Sequence, residues 1–533
     1  MSEKTLMPEK LFALLKSKIN NIRTTAFLSA LLCGIAAHFY RITNWLPNWD
    51  SLVFRNDPQH MEPLGRWFLS FASSLSTGYE LPWLNGILAL LFVALASVFV
   101  CETLDVKKRA SAAMIGGMTA VFPTVISTFT YCYVVDAYCL SFLFVCIACF
   151  LLTRKKGVLN TVAAVVLMTL SLGIYQAYIM VAVALLTCVL ILGLVTKADS
   201  HLCSLKKLAK YALCVVTAVL CYYLIWQAVM ALGHMSPSDY QGISQTTELK
   251  NFSLSFAVSA SLYYFFKFFV DFSTGINVYS IVNLAIFAVV GAGYVALAAK
   301  KVRGWALPLL IAYVISVPFG CSAIYFAKSS LDYHTLMKMS FFVVYIYLIM
   351  LYEKLEFKIQ PLNAVKCWAI VGLCAAITYS NICTANVAYH KLQMAFEKSY
   401  GILVRISDRI ELLDGFDRAE RILVIGRLEN SDDYSIDFPP EITGTTNGLI
   451  VRHDDEVVGQ SVMTSALNDY CDLSLDFVSG TEAQGIESRP QIAAMPCWPN
   501  EGSVVKTEDG IIVVKLSEPL VGKTETTSDG TAE

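Results

Sequence analysis

Apolar and polar residues follow one another along this chain in long blocks. An apolar run over roughly 24–41 gives way to a polar stretch, Asn44 to Trp67, and then to further apolar runs at about 83–102, 110–127 and 134–153. A helix needs about 20 apolar residues to cross the hydrocarbon of a bilayer. The runs are of about that length, so each predicts a crossing. The stretch 159–196 is too long for one crossing and long enough for two short ones, turning at Ser171-Leu-Gly-Ile-Tyr-Gln-Ala-Tyr178. Runs at 211–231, 281–299, 305–326, 339–352 and 367–387 bring the expected count to eleven.

Basic residues in short loops mark the cytoplasmic side of a membrane protein. Lys107-Lys108-Arg109, Arg154-Lys155-Lys156, Lys206-Lys207, Lys300-Lys301 and the lysines of the 353–366 loop all fall on one side under this count. Outer loops are then expected at 42–82, 232–280 and 327–338. The aromatic segment 255–270 is cut short by Lys267 and Asp271, and counting it as a crossing would put Lys300-Lys301 outside. It reads as an interfacial or re-entrant helix on the outer face. Residues 1–23, with lysines at 4, 10, 16 and 18, read as a cytoplasmic or interfacial helix, and the first apolar run as a retained span.

Residues 24–390 thus form the membrane domain, and 391–533 an external one. The latter opens with a helix-like stretch, Lys391 to Leu413, followed by strand signals at 421–426 and 448–451. A hairpin pattern over 502–515 has Asp509-Gly510 as its turn. This predicts a small α/β domain, with a disordered tail after about residue 523. The fold class is therefore a polytopic all-α membrane protein with a small C-terminal α/β domain.

Composition agrees with that frame: 56% of the 533 residues are apolar and 15% charged, and the mean hydropathy is +0.57. The net charge of -2 conceals two unlike parts. Residues 1–390 carry 28 Lys and Arg against 16 Asp and Glu, whereas 391–533 carry 12 against 26. An acidic tail repels anionic surfaces and excludes nucleic acid as its partner. The 16 cysteines are scattered among apolar runs and read as small buried hydrophobes. Cys471 and Cys497 alone lie in the external domain, where they either form a disulfide in an oxidising compartment or remain inert thiols.

The polar stretch after the first span carries the candidate chemistry. It holds Asp50, Arg55, Asp57, Glu62 and Arg66, with Trp45, Trp49 and Trp67 placed to anchor it at headgroup depth. The topology gathers Asp136, Gln176, Lys267, Lys328, Asp332, His334 and Lys338 on the same outer side. Ionisable groups at a bilayer are costly, so their concentration at one face makes a functional cavity the default reading. There Asp50 or Asp57 could take a proton from a sugar hydroxyl. Arg55, Arg66, Glu62, Asp136, Gln176, Lys267, Lys328, His334 and Lys338 are candidates for holding a donor phosphate or sugar. The plainer alternative is a Trp-anchored connector with solvated charges, in which Arg66 pairs with Glu62 four residues earlier. No Asp-x-Asp or His cluster demands a metal. A divalent ion is compatible with these residues but not required, and no cofactor is implied.

Three pieces of the sequence resemble a known family. They are Asp50 with Gly65-Arg66-Trp67, the Ser171 to Tyr178 turn, and the C-terminal run Ala494-Met-Pro-Cys-Trp-Pro499 continuing through Gly502-Ser503 to Val513-Val-Lys-Leu516. Together they resemble the bacterial polytopic glucosyltransferases of the GtrII type, which modify O-antigen with glucose carried on a polyprenyl phosphate. Where that family has an Asp-Asp pair, this chain has Trp49-Asp50, so Asp50 matches the second member. The resemblance implies a GT-C-like arrangement in a bacterial inner membrane, with a cytoplasmic N-terminus and a periplasmic C-terminal domain. It implies an acidic residue of the first outer loop as general base, a polyprenyl-phosphate-linked sugar as donor, a glycan as acceptor, and inversion at the anomeric carbon. Two other classes remain open on the residues alone: a transporter or flippase of lipid-linked sugar, and an envelope scaffold protein.

Overall fold

A computed structural model describes residues 17, 19–54, 57–238, 253–273, 275–327, 333–428, 440–445 and 456–518. The chain divides into two compact units. The first comprises Met1–Trp45, Arg55–Tyr389 and Ile436–Thr443, and the second Leu46–Phe54, His390–Ser435 and Gly444–Glu533.

The first unit is helical. Its opening helix α1, Asn21–Thr43, starts where the Asn20 side chain accepts a hydrogen bond from Arg23 N at 2.9 Å. The short α2, Trp49–Phe54, belongs to the second unit. There follow α3 (Leu69–Ser73), α4 (Pro82–Leu104), α5 (Arg109–Ala120), α6 (Pro123–Thr130), α7 (Val135–Arg154), α8 (Val158–Ile174), α9 (Ile179–Val195) and α10 (His201–Leu232). After these come α11 (Leu254–Phe269), α12 (Val278–Lys301), α13 (Ala306–Cys321), α14 (Ile324–Ala327), α15 (Val343–Lys354) and the long α16 (Gln360–Glu411). Helices α1, α4, α5, α7 and α8 form the packed centre. Small residues bring their backbones together: a side chain at Gly116 of α5 would run into the Ala26 backbone of α1. Helix α7 is apolar all round and buried along most of its length, as expected of a central helix.

Among the described residues, eight helical segments are long and apolar enough to cross a membrane. They are Asn21–Thr43, Pro82–Leu104, Arg109–Thr130, Cys132–Arg154, Gln176–Val195, His201–Leu232, Val278–Ala299 and Gln360–Glu411. The protein is therefore a polytopic membrane protein, but three of the eleven expected crossings fall short by this measure. Helix α8 has 17 residues and α13 has 16, with Pro318 inside it. Helix α15 has 12 and begins only after the 3-10 turn Met339–Phe342. The segment read as interfacial is a regular helix, α11, which buries Ala257, Ala260, Phe265, Phe268 and Phe269 and exposes Tyr263, Phe266 and Lys267.

The second unit is built on a four-stranded sheet of order β2-β1-β4-β3. Strand β1 (Arg421–Ile425) lies parallel to both β2 (Asp476–Phe477) and β4 (Ile511–Lys515), and β3 (Val504–Lys506) pairs antiparallel with β4. Alternate residues of β1 and β4 face opposite sides. Ile422, Val424, Ile512 and Val514 pack with Leu403, Ile406 and Ile410 of α16 and with Val462, Met463 and Leu467 of α17, Glu456–Cys471. Leu423, Ile425, Ile511 and Val513 pack with Ala483 and Ile486 of α18, Gly480–Glu487, and Ile492 of α19, Pro490–Ala493. The result is a three-layer α/β/α unit. Its β3–β4 turn is at Asp509-Gly510, with Gly510 at φ 76°.

The expected last span and the helix-like stretch after it are one helix of 52 residues, about 78 Å long at 1.5 Å per residue. The boundary near Lys391 is a change of polarity without a Gly or Pro to break the helix. Cys471 and Cys497 are free thiols. Burial raises the pKa of Cys471. Burial and the Glu518 carboxylate, whose Oε1 lies 3.5 Å from Cys497 Sγ, raise that of Cys497. The expected helix over 1–23, strand 448–451 and tail beyond 523 lie wholly or largely outside the described residues.

Candidate functional site

The loop between α1 and α4 starts and ends at one buried ion pair. Arg41, in the last turn of α1, donates from Nη2 to Glu80 Oε1 at 3.0 Å, and both side chains are 1% exposed. Arg41 Nε also donates to Phe129 O at 3.0 Å and Nη1 to Asn44 O at 3.2 Å. A guanidinium at this depth is tolerated because each face of it is met. Beside the pair, Asn85 Nδ2 of α4 donates to Cys132 O at 3.2 Å and to Asp136 Oδ1 at 3.4 Å. Asp136 is buried at the start of α7. Its Oδ2 has no partner among the described residues.

The two candidate bases of this loop are held differently. Asp50 stands half-buried in the first turn of α2, whose start is organised by Asn48 Oδ1 accepting from Ser51 N at 3.1 Å. Helix α2 packs on α17 within the second unit. Asp57 belongs to the first unit, and its Oδ1 accepts from Gln59 N at 2.6 Å and His60 N at 3.4 Å. That is a local turn of the kind Asp side chains make with the backbone ahead of them. It fixes Gln59 at φ 63°. Arg55 lies outside the described residues.

The next ten residues are seated in a socket. Glu62–Leu64 form a 3-10 turn that ends at Gly65 with φ 78°. A side chain there would collide with the Tyr222 hydroxyl and with Gln176 Nε2. Gln176 Nε2 donates to Leu64 O at 2.8 Å and to Tyr222 Oη at 3.1 Å, and Trp226 Nε1 of α10 donates to Glu62 O at 2.8 Å. Phe68 N donates to Gly173 O at 2.8 Å, and the bare Gly173 admits the Trp67 ring, which would lie 2.7 Å from any Cβ. The Ser171–Tyr178 turn and the Gly65-Arg66-Trp67 motif are thus two halves of one joint.

Within this joint Arg66 Nη1 donates to Tyr138 Oη at 2.9 Å. Its guanidinium stands 5.2 Å from the centre of the Tyr175 ring, which stacks on Tyr138 at 4.4 Å. Such ring contacts attract a cation without adding formal negative charge. The four-residue spacing to Glu62 does not act as a helix face here, because the 3-10 turn ends at Gly65. Glu62 Oε1 instead meets His60 Nδ1 at 3.0 Å.

Among the other expected residues, His334 and Lys338 flank the 3-10 turn Thr335–Met337. Lys338 Nζ stands 5.4 Å from the Tyr333 ring centre and 5.8 Å from that of Phe268. Lys267 lies on the exposed face of α11 over Tyr263, at 5.5 Å, opposite that helix's buried face. Lys328 and Asp332 lie outside the described residues. The structure therefore holds Glu62, Arg66 and Gln176 in one joint through Trp226, Tyr138, Tyr222 and the Leu64 carbonyl, and places Asp136 two residues before Arg66's partner Tyr138. The sequence reading passed over Tyr138, Tyr175, Tyr222, Trp226 and His60. The density of tyrosines at 131, 133, 138, 175 and 178, near the expected outer ends of spans, was the available signal.

No curated relative and no solved structure matches the chain. A family model described as "Glucosyl transferase GtrII" matches residues 39–353, a stretch that contains the Arg41–Glu80 pair, the Arg66 socket and Lys338 and ends before the sheet of the second unit. With that match over more than half of its length, the chain belongs to the GtrII glucosyl transferase family.

Proposed function

We propose that this glycosyltransferase moves a hexose, glucose by family, from a polyprenyl phosphate to a glycan such as O-antigen at the outer face of a bacterial inner membrane. In this reading the N-terminus is cytoplasmic, the chain crosses eleven times and the second unit is periplasmic. The observation that carries it is the Arg66 socket, a guanidinium held on two tyrosines by a loop that lies inside the family match.

The acceptor hydroxyl attacks the anomeric carbon from the face opposite the phosphate. The new C–O bond forms as the bond to the phosphate oxygen breaks, and the electron pair leaves with the polyprenyl phosphate, inverting the centre. The hydroxyl proton passes to a carboxylate, for which Asp50 is the first candidate, and the departing phosphate is stabilised by cationic side chains, for which Arg66 and Lys338 are the candidates. Asp57, one of whose oxygens accepts from two backbone amides, is the second base candidate.

The test is incubation of purified protein with labelled polyprenyl-phosphate sugars and acceptor glycans. The expected result is a hexose added to the glycan and release of polyprenyl phosphate. Asp50→Asn lowers transfer by about 10² to 10⁴ while donor binding persists. Near-normal transfer by Asp50→Asn with loss in Asp57→Asn reassigns the base. Translocation of intact sugar lipid with no transfer to any acceptor rejects the reading in favour of a flippase.

A further inference from the structure

Residues Ile436–Thr443 belong to the first unit, although the chain before and after them belongs to the second. Of this segment, Glu441 to Thr443 lies as a strap between α6 and the 3-10 turn Thr335–Met337. Thr443 N donates to Ser127 Oγ at 3.2 Å, and Thr443 O accepts from Thr130 Oγ1 at 2.9 Å. Thr443 Oγ1 accepts from Thr335 N at 3.1 Å, and Thr335 Oγ1 donates to Glu441 O at 2.6 Å. Thr335 O in turn accepts from Thr124 Oγ1 at 2.9 Å and from Lys338 N at 3.1 Å. Ser127, Thr130, Thr335 and Ile442 are all buried. The backbone N–H and C=O of Thr443 and its hydroxyl are all engaged, two on α6 and one on the turn.

A one-turn 3-10 element has few bonds of its own to fix it. This one is held at its first residue by the strap, and its last bond, Lys338 N to Thr335 O, closes onto the residue the strap grips. A buried N–H left without its acceptor costs more than the bond itself contributes, so loss of the Thr443 hydroxyl forces the Thr335 end to move. Lys338 moves with it, off the Tyr333 and Phe268 rings.

We propose that Thr443 is a positioning residue for donor binding: through Thr335 it sets the turn that presents Lys338 to the lipid phosphate. This rests on the reading of Lys338 as a phosphate-holding residue, and the test separates the two. In the purified full-length protein, with polyprenyl-phosphate hexose as donor, Thr443→Val keeps the shape and removes the acceptor. It raises the donor KM about tenfold while kcat and the acceptor KM stay within about twofold. Thr443→Ser, which keeps the oxygen, restores the donor KM. Lys338→Ala raises the donor KM at least as much, and the Thr443→Val, Lys338→Ala double variant is no worse than Lys338→Ala alone, since both act on one contact. A wild-type donor KM in Thr443→Val beside a raised one in Lys338→Ala overturns the strap's role. An unchanged donor KM in Lys338→Ala overturns the underlying reading and the proposal with it. For a Thr443→Val protein that does not insert, Ser127→Ala removes only the 3.2 Å contact to Thr443 N. A donor KM raised about threefold supports the proposal, and an unchanged one overturns it.

Discussion

At the junction of α4, α5 and α15, Glu353 takes hydrogen bonds from Lys107 N at 2.9 Å, Lys108 N at 3.4 Å and Ser111 Oγ at 2.7 Å, whereas in the loop after α1 Arg66 sits on tyrosine rings and a tyrosine hydroxyl. The first is a buried carboxylate at the start of a helix, where unsatisfied N–H groups and the helix dipole both favour negative charge. Carboxylate partners recur elsewhere in the unit, with Arg23 on Glu102 at 2.8 Å, Lys107 on Asp105 at 2.6 Å and Lys207 on Asp199 at 2.6 Å. The second region spends its aromatic residues on holding a cation in place. A carboxylate partner cancels a charge, and a ring orients one. Glu353 closes a junction between helices, and under the proposed function Arg66 is the charge that meets the donor phosphate.

The largest effect is expected where closure is removed. Glu353→Ala leaves two backbone N–H groups and a hydroxyl without an acceptor and costs about 3 kcal/mol. It is read as a lower melting temperature in detergent, with the donor KM of the folded fraction unchanged; a changed donor KM would erase the distinction. Next comes Gly65→Ala, which puts a side chain at φ 78° against Tyr222 and Gln176 and costs about 2 kcal/mol. It moves both stability and donor KM, because the loop itself leaves its socket, and kinetics with melting curves check both. Arg66→Ala raises the donor KM about tenfold with little change in melting temperature. Tyr138→Phe, which removes only the hydroxyl that meets Arg66, gives a smaller shift of about 1 kcal/mol in donor binding. Cys497→Ser, far from either region in sequence and with its thiol donating to the exposed Glu518, changes stability by less than about 0.5 kcal/mol.

Much of the helical unit is legible in the chain because crossings are written in long apolar runs. The run at 83–102 becomes Pro82–Leu104 and that at 281–299 becomes Val278–Lys301. Gly65-Arg66-Trp67 and the Ser171–Tyr178 turn each stand out by family resemblance, but that they pair does not, and the glycines give its physical reason: each leaves room that a Cβ would fill. What the chain did not disclose depends on contacts between distant residues. The expectation that Arg66 pairs with Glu62 applied a helix rule to a segment that turns at Gly65. Asp50 and Asp57, seven residues apart, read as one acidic group, yet a compact unit boundary falls between them at Phe54 and Arg55. The parallel pairing of β1 with β4 joins residues about ninety positions apart, and the Thr443 strap reaches Ser127 across 316 positions. Neither leaves a periodic trace in the sequence.

The most direct measurement of this account is donor-induced thermal stabilisation of three purified proteins: wild type, Arg66→Ala and Glu353→Ala. Each is melted with and without polyprenyl-phosphate hexose at about a hundred times its wild-type Kd, where a ligand that binds the folded state alone adds about 2.7 kcal/mol. Wild type should gain the full shift. Arg66→Ala should melt like wild type without donor and lose about half of the shift, and Glu353→Ala should melt lower without donor and keep all of it. An Arg66→Ala protein that melts early and still gains the full shift would make the socket a structural joint and contradict its assignment to the donor phosphate.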